Sequence, residues 1–361
     1  MTDIEGNASS FSNRSPVRLD GKRIALLDRD HSILAFNERV FDWAVRADVP
    51  LLERLRYLCI VSSNLDEFFE VRAAAHLTAA QQGETKGEYS VASFEALAEK
   101  AHQLVARQYE LYNDSLTPAF EAHRIRVVSH SERSSAQKRW VREYFQRDVR
   151  PLLIPVGLDP SHPFPQVANK SLNFIVRLKG GDAFGRQNEI AIVKIPRILP
   201  RVIRLPLDVA PQGVQLVTLS SIIRSHLADL FPGREVSEFS QFRVTRHSDL
   251  AVDEEDVRNL RMALRQGLQH RHYGQAVRLE VSASCSRYLA EFLQVQFSLP
   301  APALYRVQGP VNLVRLSQMV ELVADRSLLF PNWQPAWPEQ LPRSTSIFAE
   351  LKKRDVLIHQ P

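Results

Sequence analysis

One stretch of the chain, residues 55–72, constrains the fold most because it joins two helical patterns through polar residues. On both sides of the join, the positions of one helix face recur at spacings of three and four, which is the period of an α-helix. These positions are Leu55, Leu58, Cys59 and Ser62 before the join, and Leu65, Phe68, Phe69 and Arg72 after it. The polar residues Ser62-Ser63-Asn64 predict that one helix ends here and a second begins at once.

Asn64 is the residue of this join that could carry chemistry. Asn is a preferred N-cap residue, and Glu67, three positions later, completes a capping-box pattern. Backbone N–H groups and the helix dipole favour anions at such an N-terminus. Asn64 can therefore cap the helix and do nothing else, which the residues alone favour, or its amide can also contact a nucleotide.

The same stretch, with residues 28–40 before it, resembles the signature of the first family of ATP-dependent polyphosphate kinases. Members of that family carry an Arg-Glu-Leu-Ser-Trp-Leu-x-Phe-Asn-x-Arg-Val run followed by Ser-Asn-Asn-Leu-Asp-Glu-Phe. In this chain Ile33 replaces the Trp, and Ser63 replaces the first Asn of the pair. Asn64 matches the second Asn, which contacts ATP in that family. The resemblance therefore implies that Asn64 binds ATP.

The resemblance continues from about Asp28 to the last residue. Residues 162–173 are similar to the family's His-Pro-Phe-Pro…Asn-x-Ser-Leu-Asn run, and further matches to the middle domain of the family occur at 242–246, 276–281 and 305–310. Residues 346–359 resemble the start of the first of two phospholipase-D-like catalytic domains. The resemblance implies a helical N-terminal domain, a middle domain and a short part of a third domain.

The residue patterns predict a multi-domain fold on their own. From Leu26 to about His123 helical spacing dominates, and residues 90–120 predict one long helix. After His123, alternating apolar residues predict strands at 125–128, 171–178, 189–195, 202–205, 241–246, 276–281 and 304–307. Helices are predicted at 134–149, 220–231, 253–272, 286–297 and 313–324. We predict an all-α N-terminal helical domain followed by an α+β middle domain with a largely antiparallel sheet.

We place the boundaries of these parts as follows. Residues 1–21 are predicted to be a disordered leader, 22–124 the helical N-terminal domain, 125–335 the α+β middle domain and 336–361 the start of a truncated catalytic domain.

Composition narrows the function only slightly. A net charge of +5 and a pI near 9.3 permit a polyanionic partner without identifying one. The two cysteines, Cys59 and Cys285, are predicted to be buried free thiols of a reducing cytosol. The sequence has no apolar run of about 18 residues and no secretory signal pattern. We expect a cytoplasmic protein without a transmembrane segment, and we leave its association with a membrane surface open.

The sequence contains no self-sufficient active site. Residues 180–185 lack the Gly-Lys-Ser/Thr of a P-loop and are interpreted as a hairpin turn, and the spacings of zinc ligands are absent. His270 and His272, two residues apart, would lie on different faces of a helix. His162 and His247 are interpreted as turn or surface residues. The roles of Arg54, Arg56, Arg72, Arg197, Arg201 and Arg204 stay open.

The resemblance implies a reaction but places its chemistry elsewhere. In the family, a histidine takes the γ-phosphoryl group of ATP and passes it to the growing chain, which is covalent catalysis. That histidine, the metal ligands and most phosphate-binding arginines lie in the two later domains, and none maps onto residues 1–361. We therefore assign no catalytic residue and no metal ligand in this span, and we predict that the chain alone has no kinase activity.

The first hypothesis is thus the N-terminal part of a polyphosphate kinase, which transfers the terminal phosphate of ATP reversibly to inorganic polyphosphate. Its expected partners are ATP or ADP, polyphosphate and further copies of itself, as a homodimer or homotetramer, with Mg in the complete enzyme and no specific nucleic acid. The alternative is a non-catalytic nucleotide- or polyanion-binding or dimerisation module, formed by natural truncation. A polyanion- or RNA-binding protein unrelated to catalysis is supported only by the pI. The reading frame after Pro361 would separate the first two.

Overall fold

The computed structural model describes residues 17–19, 22–24, 28–85, 87–159, 163–181, 189–248, 274–332, 337–338, 341 and 346–357. Residues 1–16 of the predicted leader lie outside this part of the chain. Within the leader, Val17–Leu19 (β1) is a strand that pairs antiparallel with Lys22–Ile24 (β2).

The N-terminal part is helical, as the apolar periodicity predicts. Its helices are Arg29–Val45 (α1), Leu51–Phe68 (α2), Ala74–Gln82 (α3), Val91–Glu110 (α4) and Thr117–Ala122 (α5). The Asp28 carboxylate caps α1 by accepting from the backbone N–H of His31 at 2.9 Å. Ser90 and Ser93 form a capping box at the start of α4.

The predicted helix break at Ser62-Ser63-Asn64 is wrong. Helix α2 runs through all three residues to Phe68, so Asn64 lies inside the helix and is not its N-cap. Serine and asparagine cost a helix interior only about 0.5 kcal/mol each. The burial of Val61 and Leu65 on the same helix stabilises it by more, since each fully buried aliphatic side chain contributes roughly 1.5–3 kcal/mol. Tertiary packing therefore overrides the local capping preference.

The irregularity of this region comes five residues later. Phe69–Ala73 forms a π-helical turn between α2 and α3. A second π-helical turn, Leu111–Leu116, connects α4 to α5, so the long helix predicted for residues 90–120 is confirmed as one continuous helical run with a local widening. Widened turns of this kind are frequent at functional sites.

The middle part is built on a six-stranded sheet. Its strands are Pro155–Gly157 (β4), Leu172–Lys179 (β5), Ile190–Lys194 (β6), Glu235–Arg246 (β9), Ala276–Ser282 (β10) and Leu304–Val307 (β11), in the order β11-β10-β9-β5-β6-β4. All neighbours are antiparallel except β10 and β11. The largely antiparallel sheet is thus confirmed.

Strand β5 differs from its prediction in burial. We expected a half-buried strand with alternating faces, but the five consecutive residues from Leu172 to Val176 are all buried. Because successive side chains point to opposite faces, both faces of the strand are covered here, and such a strand needs no alternation.

A smaller three-stranded sheet stands beside the first. It contains Ile125–Val127 (β3), Val202–Arg204 (β7) and Val214–Thr218 (β8), with β8 in the middle. The strand predicted for 202–205 is confirmed as β7, which lies at the edge of this sheet, whereas β8 was not predicted. The remaining helices are Ser135–Tyr144 (α6), Leu219–Ser225 (α7), Arg287–Gln296 (α8), Gln318–Val323 (α9) and Ile347–Leu351 (α10).

One predicted helix of the middle part is shorter in the structure, and another lies outside the described residues. The helix predicted for 220–231 ends at Ser225 and is followed by a short 3₁₀ turn, Ala228–Leu230. The helix predicted for 253–272, with His270 and His272, lies outside the described residues. None of the helices in the described ranges is long and apolar enough to cross a membrane.

A buried cluster of four charged side chains joins the helices to the large sheet. Arg243 on β9 and Glu280 on β10 are register partners, and Arg243 Nε donates to Glu280 Oε2 at 2.5 Å. Asp66 of α2 accepts from Arg243 Nη1 at 2.7 Å and from Arg278 Nη2 at 2.5 Å. All four side chains are almost fully buried. The two positive and two negative charges cancel only when α2 packs on the sheet.

The cluster fixes the charge of Asp66. Burial raises the pKa of this carboxyl, but Arg243 and Arg278 outweigh burial and hold the pKa below its ordinary value. The guanidinium of Arg278 also lies 4.7 Å from the ring centroid of Phe69, at the start of the first π-helical turn. The charged cluster and the apolar core therefore meet at the C-terminal end of α2.

We expect Asp66→Asn to lower the free energy of unfolding by about 3–5 kcal/mol, because it leaves an uncompensated positive charge among buried groups. Urea unfolding followed by circular dichroism measures the change. Asp48→Asn is the matched control, since Asp48 pairs with Arg46 on the surface. An equal response of the two variants would contradict the role we give to the cluster.

The same cluster predicts a pH dependence. A carboxyl whose folded pKa lies below its unfolded value, about 3.9 for Asp, stabilises the fold above that value. This contribution is lost as the pH falls through the folded pKa of Asp66. We expect the wild-type chain to lose more stability than Asp66→Asn between pH 5 and the acid limit of folding, as measured by urea midpoints at a series of pH values.

Candidate functional site

A cavity of about 300 Å³ lies between α1 and α2, at the stretch on which the resemblance rests. Its lining residues come from α1, from the last two turns of α2 and from the π-helical turn that follows. They are Ile33, Leu34, Phe36, Asn37, Asn64, Glu67, Phe68, Val71 and Arg72. Asn64 therefore reaches a cavity, although it does so from a helix interior and not from an N-terminus.

Two asparagine side-chain amides are hydrogen-bonded to each other in the wall of this cavity. Asn37 of α1 is buried, and its Nδ2 donates to the backbone carbonyl of Val61 at 3.0 Å. This bond turns the Asn37 carbonyl oxygen towards α2, where it accepts from Asn64 Nδ2 at 3.0 Å. The backbone of α2 thereby determines the orientation of both amides.

The locked pair leaves part of the Asn64 amide available. Asn64 uses one N–H for Asn37, and within the described part of the chain its Oδ1 and second N–H have no hydrogen-bond partner. An amide with one free donor beside one free acceptor can form two parallel hydrogen bonds with a complementary flat group. The site thus offers a fixed polar edge on a half-buried side chain.

The other walls are mainly apolar. Ile33, Phe36 and Val71 line the cavity, and the Phe36 side chain is 54% exposed although it belongs to a helix that packs in the core. The guanidinium of Arg39 lies 5.3 Å from the centroid of this ring. An exposed aromatic ring beside a polar edge suits a flat heterocycle, which can stack on the ring while its edge pairs with the amide.

The π-helical turn contributes a positively charged side chain, Arg72, to the cavity. Arg72 lines the cavity, and its ion pair within the described residues is a long 4.0 Å contact between its Nε and Asp30 Oδ1. The other oxygen of Asp30 lies 3.0 Å from His76 Nε2, and His76 Nδ1 lies 2.8 Å from Ser93 Oγ. Burial raises the pKa of Asp30, but His76 and then Arg72 outweigh it and hold the pKa below its ordinary value.

Sequence reasoning did not separate Arg72 from two other arginines of the region. Arg54 donates to the Ala44 carbonyl and to Ser115 Oγ, which makes it a packing residue. Arg56 pairs with Glu53. Among these three arginines, Arg72 is the one that lines the cavity. A signal for it was present, because Arg72 shares the helix face of Leu65 and Phe68 in the sequence pattern.

Other candidate centres receive little support. Within the described residues, no group of three or more His, Cys, Asp or Glu side chains is placed to hold a metal ion. Cys59 and Cys285 are free and buried, as predicted, and burial raises the pKa of the Cys59 thiol to about 12. His247 is partly buried after β9, and His162 lies outside the described residues.

Comparison with known proteins follows the same division of the chain. The family model described as "Polyphosphate kinase N-terminal domain" matches residues 26–128, and that described as "Polyphosphate kinase middle domain" matches residues 136–319. The crystal structure of polyphosphate kinase from Porphyromonas gingivalis is similar with a TM-score of 0.74 and 26% sequence identity, and the match covers 93% of this chain and 47% of that one.

The sequence relatives are more similar. A polyphosphate kinase of Neisseria meningitidis serogroup B is 47% identical over 340 residues, which cover 93% of this chain and 50% of that protein. A polyphosphate kinase of Pseudomonas aeruginosa is 46% identical over 339 residues, which cover 93% of this chain and 49% of that protein. This chain spans about half the length of the curated relatives it matches.

We expect Asn37→Ala to lower the free energy of unfolding by about 1–3 kcal/mol, because it removes a buried amide that satisfies both Asn64 and the Val61 carbonyl. Ser63→Ala, on the exposed side of the same helix, is the control and should change stability by less than about 0.5 kcal/mol. Urea unfolding of both variants checks the order. A neutral Asn37→Ala would show that the amide pair does not stabilise the wall.

Proposed function

This chain belongs to the polyphosphate kinase family, and from that premise we propose that it supplies an ATP-binding surface of an ATP:polyphosphate phosphotransferase. The observation that carries the proposal is the Asn64 amide, which Asn37 orients in the wall of the apolar cavity. The complete enzyme transfers the terminal phosphate of ATP reversibly to polyphosphate through a phosphohistidine outside residues 1–361.

In this proposal Asn64 recognises the adenine base. The Watson–Crick and Hoogsteen edges of adenine place an amino donor beside a ring-nitrogen acceptor, and asparagine pairs well with that pattern. The Asn64 Oδ1 accepts from the adenine amino group, and its second N–H donates to the ring nitrogen. Phe36 stacks on the base from the side of α1.

In this proposal Arg72 determines the orientation of the bound nucleotide. It lines the same cavity, and its long contact with Asp30 leaves most of its five N–H donors available. A guanidinium matches the geometry of phosphate oxygens and binds them with charge-assisted hydrogen bonds. We therefore place the base at Asn64 and the first phosphates of ATP towards Arg72.

The transfer step itself is not assigned to these residues. A bound metal ion would neutralise the negative charge of the phosphate groups during phosphoryl transfer. By resemblance to the family, we place the Mg ligands of the complete enzyme outside residues 1–361. What this chain contributes is binding and orientation of the nucleotide.

The remaining parts of the proposal rest on the family. We propose ATP or ADP and polyphosphate as the substrates, a homodimer or homotetramer as the assembly, and domain boundaries near residues 22, 125 and 336. A cytoplasmic location is supported by the two buried free thiols, which a reducing compartment preserves. A dimerisation or nucleotide-binding module without catalysis stays the alternative function.

In the complete enzyme, we expect Asn64→Ala to weaken ATP binding roughly tenfold or more, because a bidentate amide–base pair is worth about 1–3 kcal/mol. Isothermal titration with ATP measures the affinity, and a thermal melt of the same sample measures stability. Ser63→Ala is the control with unchanged affinity. A large fall in melting temperature with unchanged ATP affinity would leave Asn64 a purely structural role.

We also expect the 361-residue chain to be inactive by itself. Incubated with labelled ATP and a polyphosphate primer, it should place no label in acid-insoluble polymer, because none of its residues matches the family's phosphorylated histidine. The complete enzyme of a relative serves as the positive control. Label in polymer from the isolated chain would contradict this part of the proposal.

A further inference from the structure

A second, smaller cavity lies far along the chain from Asn64, between the three-stranded sheet and the segment that follows β11. Its volume is about 30 Å³, and its polar lining consists of Arg201, Thr218, Ser220, Asn312 and Arg315. A cavity needs roughly 10–15 Å³ to hold one water-sized group, so this one admits two oxygen atoms and opens to solvent for the rest of a ligand. The family resemblance gives these residues no role.

Arg201 is the unusual member of this lining. It is only 9% exposed, and among the described residues its buried Nη1 has no hydrogen-bond partner. Within the described part of the chain it has no ion pair. Burial, followed by the positive charges of Arg315 and Arg197, lowers the pKa of Arg201 to about 10. A buried cation beside two others and without a carboxylate lacks the partner that buried charges normally have.

Two neighbouring arginines, unlike Arg201, donate side-chain hydrogen bonds to backbone carbonyl groups. Arg204, three residues later on β7, donates to the Leu322 carbonyl at 3.1 Å, and Arg197 donates to the Asn169 carbonyl. Arg201 itself is held firmly at the start of β7, because its backbone N–H donates to Gln318 Oε1 at 2.8 Å. The open side-chain donor is therefore a feature of a fixed residue.

Asn312 supplies the complementary group. Asn312 is 8% exposed, and its buried Oδ1 finds no hydrogen-bond partner in the part of the chain that the structure describes. The backbone of Asn312 is left-handed, with φ +80°, a conformation that asparagine adopts more readily than most residues. The cavity thus combines a buried unpaired cationic donor with a buried unpaired acceptor.

We propose that this cavity binds a phosphate group, with Arg201 and Arg315 donating to its oxygens and Asn312 Oδ1 accepting from a protonated one. The second pKa of a phosphate monoester is about 6, so a terminal phosphate retains a proton in part of the population near neutral pH. Neither sulfate nor a carboxylate, which is ionised near neutral pH, has such a proton. The arrangement therefore selects phosphate over both.

The source of the phosphate is either free inorganic phosphate or the terminal group of polyphosphate. The choice of polyphosphate rests on the proposed function, whereas the cavity itself does not depend on it. An internal phosphate unit carries no proton for Asn312 and is flanked by neighbours that the small cavity excludes. The site is thus suited to a chain end.

The test measures thermal unfolding of the 361-residue chain in phosphate, sulfate, acetate or chloride at equal ionic strength and near pH 6.5. We expect phosphate to raise the melting temperature above that in chloride, and sulfate and acetate to raise it less. Short-chain polyphosphate at an equal concentration of chain ends tests the source: a larger shift assigns the chain end, and an equal or smaller shift assigns free phosphate. No shift with either would overturn the proposal.

Three variants distinguish a role of the cavity residues in phosphate binding from a role in stabilising the fold. Arg201→Met keeps the volume and removes the cation, so it should weaken phosphate binding roughly tenfold or more while its melting temperature in chloride does not fall. Asn312→Asp should also lose the response, because it places a negative charge beside the anion. Arg204→Met is the matched control and should respond as the parent does.

A structural role for Arg201 predicts the opposite result, with a melting temperature of Arg201→Met that is lower in chloride and an unchanged response to phosphate. That outcome would overturn the proposal. Titration of the same samples with adenosine, which carries the base but no phosphate, reports on Asn64 separately, so that failure of the phosphate site and failure of the proposed ATP site remain distinguishable.

Discussion

The buried cluster of Asp66, Arg243, Arg278 and Glu280 is the interaction on which the rest of the structure depends. The sheet contributes two positive charges and one negative charge, so it cannot bury these groups without Asp66. Helix α2 cannot bury Asp66 without the sheet for the same reason. The buried charges of the helical part and of the α+β part therefore neutralise each other. The hydrophobic core is likewise one continuous cluster that includes residues of both parts. We therefore expect the two parts, although distinct in sequence pattern, to unfold together.

This constraint also positions the candidate ATP site. Asn64 and Asp66 are two residues apart on α2, which places their side chains about 200° apart around the helix axis. When Asp66 points into the sheet, Asn64 must point away from it, towards α1, where Asn37 meets it at 3.0 Å. The charge cluster therefore sets the rotation of α2 about its axis. With α2 in this rotation, the hydrogen bond to Asn37 fixes the orientation of the Asn64 amide. A shift of α2 by one residue would disrupt both.

Much of the fold could be predicted from local patterns, and the failures have a common cause. The spacing of Phe94, Leu97, Ala101 and Leu104 predicts α4, and the apolar residues of β6 and β10 predict those strands, because each pattern reports burial of a single element. The false break at Ser62-Ser63-Asn64, the missed strand β8 and the fully buried β5 all depend on what packs against the element. The same holds for the charge cluster, since the pairing of Arg243 with Glu280 follows from strand register and not from either residue's neighbours.

Asn64 lines the candidate cavity, but the physical reason for which it was predicted is wrong. The sequence singled out Asn64 as a cap at a helix N-terminus, where the dipole would favour an anion. In the structure Asn64 lies within α2, so neither free backbone N–H groups nor the N-terminal dipole is available there. Its amide edge suits a neutral heterocycle, and the positive charge for phosphates must come from a side chain, Arg72, on the π-helical turn. The function that we propose on this geometry is recognition of a base by Asn64, with the phosphates held one helical turn or more away from it.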